Sequence, residues 1–166
     1  MLQFVAVVVI AVLVALDQGI KYLAVVHLKP IGSFPLLDGI LQLSYVENTG
    51  AAFGSFSKYT TLLSVFTGLV LLCGFVYLLL GKCKPVFVYV SAILILAGGA
   101  GNLIDRVFRG FVVDYIEPLF IDFAVFNFAD MLVCVGAAIL IIYLLYDMFR
   151  DAKKTKQTAE NKNAID

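Results

Sequence analysis

The chain has 166 residues and no formal net charge, with twelve basic and twelve acidic residues. Hydrophobic residues make up 62% of it and charged residues 14%, whereas typical globular domains have about 45–50% and about 25%, so the composition excludes an ordinary soluble domain and indicates a membrane protein. The balanced charge, without a basic stripe, also argues against nucleic-acid binding.

Four apolar stretches are long enough to cross a bilayer, whose hydrocarbon core needs about 20 apolar residues in a helix. They are residues 2–26, 60–80, 86–104 and 128–149. The first lacks a basic n-region and an A-x-A cleavage site, so we interpret it as a span rather than a cleaved secretory signal. We predict one four-helix domain over residues 1–152, followed by a polar tail at 153–166 that is predicted to be disordered.

Four spans place both termini on the same side of the membrane. Basic residues favour the cytoplasmic side. The turn between the second and third spans and the tail together hold seven basic residues, whereas the other side holds five. We therefore predict that both termini are cytoplasmic. The seven are Lys82, Lys84, Arg150, Lys153, Lys154, Lys156 and Lys162, and the five are Lys21, Lys29, Lys58, Arg106 and Arg109.

Two long connections would then lie on the extracytoplasmic side. In the first, residues 41–45 alternate between apolar and polar, which is typical of a half-buried strand. The second, residues 107–127, mixes aromatic with charged residues, and we predict that it lies at the membrane surface. The predicted fold is an all-α membrane protein with a small extracytoplasmic β-containing loop region and an interfacial segment.

Polar residues concentrate at the outer ends of the predicted spans, whereas the inner halves are almost wholly apolar. An ionisable group at the bilayer centre costs at least about 2.5–3.5 kcal/mol, so such groups usually face one another or a wet cavity. Four polar clusters at one level therefore indicate a single shared site. Its candidate members are Asp17, Lys21, Asn48, Thr49, Gly50, Asn102, Asp105, Arg106, Asp114, Asn127 and Asp130.

Some of these residues also have a purely structural explanation. Asp17 and Lys21 form an i,i+4 pair on one helical face, and Lys21 could extend its ammonium to the interface. Asn127 could cap the fourth helix, with Asp130 complementing the positive end of its dipole. For these four residues, spacing alone does not separate a structural role from a functional one.

The third span ends in small and polar residues. The glycines at 98–101 would allow close helix packing. Asn102 and Arg106 share a helical face because they are four residues apart. The guanidinium of Arg106 could bind a loop carbonyl, a carboxylate or a lipid phosphate.

The sequence does not indicate metal or thiol chemistry. Cys73, Cys83 and Cys134 have no CxxC or Cys/His spacing, and we interpret them as small hydrophobic residues. His27 is the only histidine, which excludes a multi-histidine zinc site. We therefore predict no metal and no cofactor.

Five motifs, in order and from Asp17 to the end of the fourth span, resemble those of the lipoprotein signal peptidase (signal peptidase II) family. They are DQGIK at 17–21, NTGAAFG at 48–54, GGAGNLIDR at 98–106, VVDY at 112–115 and FNFAD at 126–130. One departure is Met131, where family members often carry serine. The resemblance implies two catalytic aspartates, Asp114 and Asp130. It also implies that the residues that shape the site and hold the substrate are Asp17, Lys21, Asn48, Gly50, Asn102, Arg106 and Asn127.

This resemblance implies an intramembrane aspartic endopeptidase of the bacterial cytoplasmic membrane, with its active site near the extracytoplasmic face. The expected substrates are diacylglyceryl-modified prolipoproteins, cut before the lipidated cysteine, and membrane lipid is the other expected partner. Two facing carboxylates tend to share one proton, so one can activate water while the other polarises the scissile carbonyl. We expect Asp130, at a helix N-terminus, to be ionised and Asp114 to carry the proton.

Two non-enzymatic alternatives use the same residues. A proton-coupled carrier would need acidic groups along a path through the bilayer, but the inner halves of the spans offer only Asp147, and no internal repeat is present. A scaffold that packs other helices through the glycines at 98–101 would keep its function after Asp114 or Asp130 is changed to asparagine, whereas a peptidase would lose cleavage.

Overall fold

A computed structural model of the protein describes residues 1–50, 60–81 and 85–163. The last part of the second motif (Ala51, Ala52, Phe53 and Gly54), together with Lys58, Lys82, Cys83 and Lys84, lies outside the described residues. The elements are α1 (Leu2–Leu23), a π-helical turn (Ala24–Leu28), β1 (Ser33–Leu37), β2 (Leu41–Asn48), α2 (Thr60–Leu79), α3 (Val86–Arg109), β3 (Val112–Pro118) and α4 (Phe128–Asn163).

Three helical segments are long and apolar enough to cross a membrane. They cover Leu2–Leu28, Val86–Arg109 and Phe128–Lys154. Within α2 the described apolar stretch is shorter and covers Ser64–Leu79. Large apolar side chains are exposed along these helices, as in Phe4, Ile142 and Phe149, which is expected where lipid rather than water is the solvent. The chain is therefore a mostly helical, multi-pass membrane protein, and the fourth span and the cytoplasmic termini stay predictions.

The third helix lies at the centre of the bundle and contacts α1, α2 and α4. Its glycines permit this close approach, as the sequence predicts. A Cβ atom on Gly98 would collide with the carbonyl oxygen of Ala129 and lie 2.9 Å from Cγ2 of Val133 on α4. A Cβ atom on Gly99 would lie 2.6 Å from Cδ2 of Leu71 on α2.

The three strands form one antiparallel sheet in the order β1-β2-β3. The predicted strand at 41–45 is confirmed and continues to Asn48. In the register of β2 and β3, Asn48 lies opposite Val112 and Val46 opposite Asp114. This register brings the last residues of β2 beside the VVD motif. We call the end of the helix bundle that carries the sheet the sheet end.

The third strand was not predicted, because residues 107–127 were expected to lie along the membrane surface. Residues 112–116 are β-branched or aromatic except for Asp114, a composition that favours strands. The run shows no simple alternation because its first four residues are all buried: Val113 and Tyr115 pack against the π-helical turn, and Asp114, on the other face, is enclosed by Asn48 and Asn127. A strand buried on both faces has no period of two to detect.

Two helices extend beyond their predicted ends. The third continues five residues past Ile104 to Arg109 and ends at Gly110, whose φ of +80° is left-handed. The fourth continues to Asn163, through the tail that was predicted to be disordered. That tail has four lysines, two alanines, one glutamine and one glutamate among its fourteen residues, and it has neither glycine nor proline. Extending an existing helix through good helix formers needs no new nucleation, which explains the difference.

Two apolar clusters set the position of the sheet relative to the helices. One cluster, remote from the sheet, packs Ala6 and Leu78 against Tyr89 and Leu96. The other packs the π-helical turn against Val113 and Tyr115 of β3. The second cluster fixes β3, and with it Asp114, against the end of α1.

We expect Gly98→Ala to lower the free energy of unfolding by about 1–3 kcal/mol, because the added methyl group overpacks the contact between α3 and α4. Thermal unfolding of the detergent-solubilised protein, followed by circular dichroism, measures this. The matched control is Gly19→Ala in α1, since a Cβ atom at Gly19 meets nothing within 4 Å. That variant should be unchanged or stabilised by up to about 1 kcal/mol. An equal change in the free energy of unfolding in the two variants would contradict the packing role of Gly98.

Candidate active site

A continuous network of hydrogen bonds and ion pairs at the sheet end contains all nine residues that the family resemblance implies for the site. It draws on α1, β2, α3, β3 and α4, five elements that are distant in the sequence. Several of its charged members are withdrawn from solvent: Asp17, Lys21 and Asp105 are 0% exposed and Asp114 is 2% exposed. Buried charges of this kind persist only where each is paired and hydrogen-bonded.

Asp114 is held in β3 by two amide side chains. Its Oδ2 accepts a hydrogen bond from Nδ2 of Asn48 at 2.9 Å, and its Oδ1 accepts one from Nδ2 of Asn127 at 2.6 Å. Burial is the main reason why the pKa of Asp114 is raised to about 6, and the negative charge of Asp130 contributes to the rise, whereas the hydrogen bonds from Asn48 and Asn127 oppose it. Asp114 is thus a carboxyl group that can keep a proton at mildly acidic pH.

Asp130 lies in the first turn of α4 and is held by two different donors. Its Oδ1 accepts a hydrogen bond from Nδ2 of Asn102 at 2.7 Å, and its Oδ2 accepts one from the backbone N–H of Asn127 at 3.1 Å. The positive end of the helix dipole favours a negative charge at this position. Asp130 therefore lies where a carboxylate is stabilised by both the helix and its neighbours.

Asn127 joins the two aspartates. Its Oδ1 accepts a hydrogen bond from the backbone N–H of Asp130 at 3.0 Å, which completes a reciprocal capping box with the bond from its own N–H. Its Nδ2 donates both to Asp114 and, at 3.1 Å, to Oδ1 of Asn102. Asn127 therefore caps α4 and also binds both aspartates, so the capping role and a role in the site are compatible.

Lys21 lies at the centre of the buried part of the network. Its Nζ is 3.0 Å from Oδ2 of Asp17 and 3.1 Å from Oδ2 of Asp105, and it donates to Oδ1 of Asn102 at 2.8 Å. The ammonium therefore points inward and does not extend to the interface. Because Lys21 binds the oxygen of Asn102, the amide nitrogen of Asn102 is turned towards Asp130.

The N-terminus of α4 receives acceptors from three elements. The N–H of Phe128 donates to Oη of Tyr115 at 3.1 Å, and the N–H of Ala129 donates to Oδ1 of Asp17 at 3.1 Å. The N–H of Asp130 donates to Asn127. Side chains thus accept hydrogen bonds from the first three backbone N–H groups of the helix. These bonds fix the position of the first turn of α4, and with it that of Asp130.

Two residues of this network were not assigned a role from the sequence. Asp105 accepts hydrogen bonds from the N–H of Val113 and from Nε of Arg109, both at 3.1 Å, besides its ion pair with Lys21. Its position three residues after Asn102, on the same helical face, was the available signal. Tyr115 gave no comparable signal, because its hydroxyl acts on a residue thirteen positions away.

Arg106 binds a loop carbonyl, which is one of the three partners considered for it. Its Nη2 donates to the carbonyl oxygen of Gly50 at 2.9 Å. The N–H of Gly50 in turn donates to Oδ1 of Asn48 at 3.0 Å. Through these bonds α3 positions the end of β2, and therefore the amide that holds Asp114.

A cavity of about 430 Å³ opens beside the two aspartates. Its polar wall consists of Asn48, Asn102, Arg106, Asp114 and Asp130, and its other wall consists of Val112, residues 123–126, Met131 and Cys134. Met131, which replaces the serine of many family members, lines this apolar wall, while Asn102 and Asn127 orient Asp130 instead. Among the residues described here, no group of three histidine, cysteine, aspartate or glutamate side chains could hold a metal ion.

We expect Lys21→Met to lower the free energy of unfolding by about 3–5 kcal/mol, because it leaves Asp17 and Asp105 as buried charges without their cation. The control is Lys29→Met, which breaks an ion pair with Glu47 whose side chains are 53% and 39% exposed and should cost less than about 1 kcal/mol. Thermal unfolding in detergent measures both. Similar losses in the two variants would contradict the central role of Lys21.

Comparison with known proteins identifies the family. A family model described as signal peptidase (SPase) II matches residues 9–146. The lipoprotein signal peptidase of Caldanaerobacter subterraneus is 46% identical over 138 residues, covering 81% of this chain and 92% of the relative. That of Halalkalibacterium halodurans is 40% identical over 148 residues, covering 87% and 94%.

Two solved structures are also similar, and both are described as a bacterial membrane enzyme structure by the in meso method. The one at 2.3 Å resolution has a TM-score of 0.79 and 32% identity and covers 87% of this chain and 89% of its own. The one at 1.9 Å resolution has a TM-score of 0.76 and 33% identity and covers 86% and 94%. Sequence and fold thus agree over most of the chain, which belongs to the signal peptidase II family.

Proposed function

We propose that this chain is an aspartic endopeptidase whose catalytic groups are Asp114 and Asp130. Membership of the signal peptidase II family makes it a peptidase that removes signal peptides from prolipoproteins. The observation that carries the aspartic assignment is that both carboxylates line one cavity and both accept hydrogen bonds from Asn127. Two carboxylates that are held by the same residue and line the same cavity can supply both the base and the acid that peptide hydrolysis needs.

In the proposed reaction Asp130 is ionised and Asp114 carries the shared proton. Asp130 takes a proton from a water molecule as the water oxygen bonds to the scissile carbonyl carbon, while Asp114 gives its proton to the carbonyl oxygen. The tetrahedral intermediate then collapses and its C–N bond breaks. The amine leaves with the proton held by Asp130, while one hydroxyl of the intermediate returns its proton to Asp114 as the new carboxyl group forms, so both aspartates regain their starting states. The raised pKa of Asp114 and the position of Asp130 at a helix N-terminus support this assignment.

The remaining predicted site residues position these two groups. Lys21 and Asp17 hold Asn102 and the start of α4, and Asn102 and Asn127 hold Asp130. Arg106 and Gly50 hold Asn48, which binds Asp114. A reaction that depends on two carboxylates needs such restraint, because small errors in orientation lower the rate strongly.

We further propose the membrane setting of this site. The domain at residues 1–152 has four spans with both termini in the cytoplasm of a bacterium, and the sheet end faces the extracytoplasmic side of the inner membrane. The substrate is a diacylglyceryl-modified prolipoprotein cut before the lipidated cysteine. The apolar wall of the cavity, which includes Val112 and Met131, suits a substrate that brings lipid and a membrane helix. No metal or cofactor takes part.

The carrier and scaffold alternatives are not favoured. Neither accounts for two carboxylates in one cavity beside an apolar wall, in a chain that matches a peptidase family over residues 9–146.

We expect Asp114→Asn and Asp130→Asn each to abolish cleavage of a diacylglyceryl-prolipoprotein by the purified protein while preserving the fold, because each removes one of the two proton-transfer groups. Product formation is followed by gel mobility, and folding by circular dichroism. The control is Asp38→Asn, an exposed carboxylate in the turn between β1 and β2 that should retain full activity. Cleavage that survives in either catalytic variant would rule out the aspartic mechanism.

We expect kcat/KM to fall as pH rises above about 6, because Asp114 then loses the proton that it gives to the carbonyl. The hydrogen bond from Asn48 stabilises the ionised carboxylate and so lowers the pKa of Asp114. Asn48→Leu should therefore raise this pKa and move the alkaline limb of the profile to higher pH. The pH dependence of kcat/KM measures the shift.

The matched control for this profile is Gln42→Leu, the same change of an amide to an apolar side chain on the same strand. Gln42 donates to Glu117 rather than to the aspartate pair, so its removal should leave the limb in place. A limb that does not move in Asn48→Leu, or that moves to lower pH, would contradict the assignment of the proton to Asp114.

A further inference from the structure

A second cavity adjoins the catalytic one at Asp114. It has a volume of about 350 Å³ and is lined by residues 46–49, Asp114 and residues 122–125. It shares Asn48, Asp114 and residues 123–125 with the catalytic cavity, so the two adjoin along these residues. Of these two cavities, only the catalytic one is lined by Asp130. A peptide bond placed between the aspartates would therefore have open space on both sides.

The two cavities differ in chemistry. The catalytic cavity continues towards the helices along Met131 and Cys134, and a third cavity, which also reaches Asp130, lies among apolar side chains of α2, α3 and α4 such as Phe66 and Leu71. The second cavity is instead bordered by the end of β2 and by the segment before α4, and it includes Glu47, Thr49 and the exposed Asp122. Strongly apolar space thus leads towards the membrane helices, whereas the second cavity has a mixed lining, in which polar residues stand beside Val46 and residues 123–125.

A substrate chain must extend in both directions from its scissile bond, and the two directions have different requirements. Under the proposed function, on which this inference rests, the residues before the bond belong to a membrane helix and the cysteine after it carries lipid. The chain that follows carries polar backbone groups, which are strongly disfavoured in an apolar cavity that offers them no hydrogen-bond partners. We propose that the second cavity receives the first mature residues after the lipidated cysteine.

The charge on this cavity gives it a preference among substrates. Glu47 is paired with Lys29 at 2.8 Å and accepts a hydrogen bond from the hydroxyl of Tyr45 at 3.0 Å, so its charge is balanced. Asp122 adds a carboxylate to those of Glu47 and Asp114, and no basic residue is among the described residues that line the cavity. The cavity therefore favours a basic residue after the cysteine over a neutral one, and disfavours an acidic one. Where water reaches the two groups, one contact between unit charges changes a binding equilibrium by a factor of about five at most.

The test uses the purified full chain and three diacylglyceryl-prolipoproteins that differ only in the residue directly after the cysteine, which is lysine, glutamine or glutamate. We expect kcat/KM to decrease in that order, with about a two- to fivefold difference between lysine and glutamate. Asp122→Asn should reduce this ratio towards one, and Asp122→Lys should invert it. High salt should also reduce the ratio in the unmodified protein, because exposed charges are screened.

Asp38→Asn is the matched control, since Asp38 is also an exposed carboxylate but lines none of the three cavities described above. It should leave the ratio unchanged. Equal rates for the three substrates, or a ratio that is the same in Asp122→Lys as in the unmodified protein, would overturn the assignment of the cavity. Failure of the proposed function would be seen separately, as cleavage that persists in Asp114→Asn.

Discussion

The buried ammonium of Lys21 is the interaction on which the rest of the site depends. A charge without solvent contact is tolerated in a membrane protein only if its donors are met, and Lys21 has three N–H groups and three acceptors. Each acceptor makes a further bond to another element: Asp17 to the start of α4, Asp105 to the backbone of β3, and Asn102 to Asp130. One cation on α1 therefore fixes α3, β3 and α4 relative to one another.

The start of α4 is the second place where several elements converge. Free amides at a helix N-terminus attract negative charge and must find acceptors when they are buried. Here the acceptors come from Asp17, Tyr115 and Asn127, so the geometry of the first turn is set by α1 and β3 as well as by α4 itself. Because Asp130 lies in that turn and Asp114 lies on β3, the same contacts that satisfy the helix also set the separation of the two carboxylates.

The sequence predicted which polar residues lie together at the sheet end, because these residues are few and stand out against apolar spans. An Asp17-Lys21 pair or an Asn102-Arg106 pair follows from helical spacing alone. The role of Tyr115 does not, because its bond to the N–H of Phe128 depends on how β3 lies against α4. The same is true of the bond between Asp105 and the N–H of Val113. Contacts from a side chain to a distant backbone amide leave no periodic signal.

The fold shows the same division between local and non-local information. The strand at 41–45 is half-buried throughout, and its alternation of apolar and polar residues is visible in the sequence. The strand at Val112–Pro118 is buried at its start on both faces, so it could be found only once its partner β2 was known. The three long apolar helices were evident from length and composition. The helical tail was not, because its polar composition is shared by disordered segments and by helix extensions alike.

Burial of Asp114 links the chemistry of the site to its cost in stability. A carboxyl group whose pKa is 3.8 when exposed and about 6 when folded binds its proton more tightly in the folded chain. The resulting stabilisation is complete below pH 3.8 and is lost as pH rises through about 6, by on the order of 3 kcal/mol. At neutral pH the ionised group therefore opposes folding, and the hydrogen bonds from Asn48 and Asn127 offset part of that cost. Removing this burial would stabilise the ionised carboxylate, but it would also remove the reason for Asp114 to retain the proton that the proposed reaction uses.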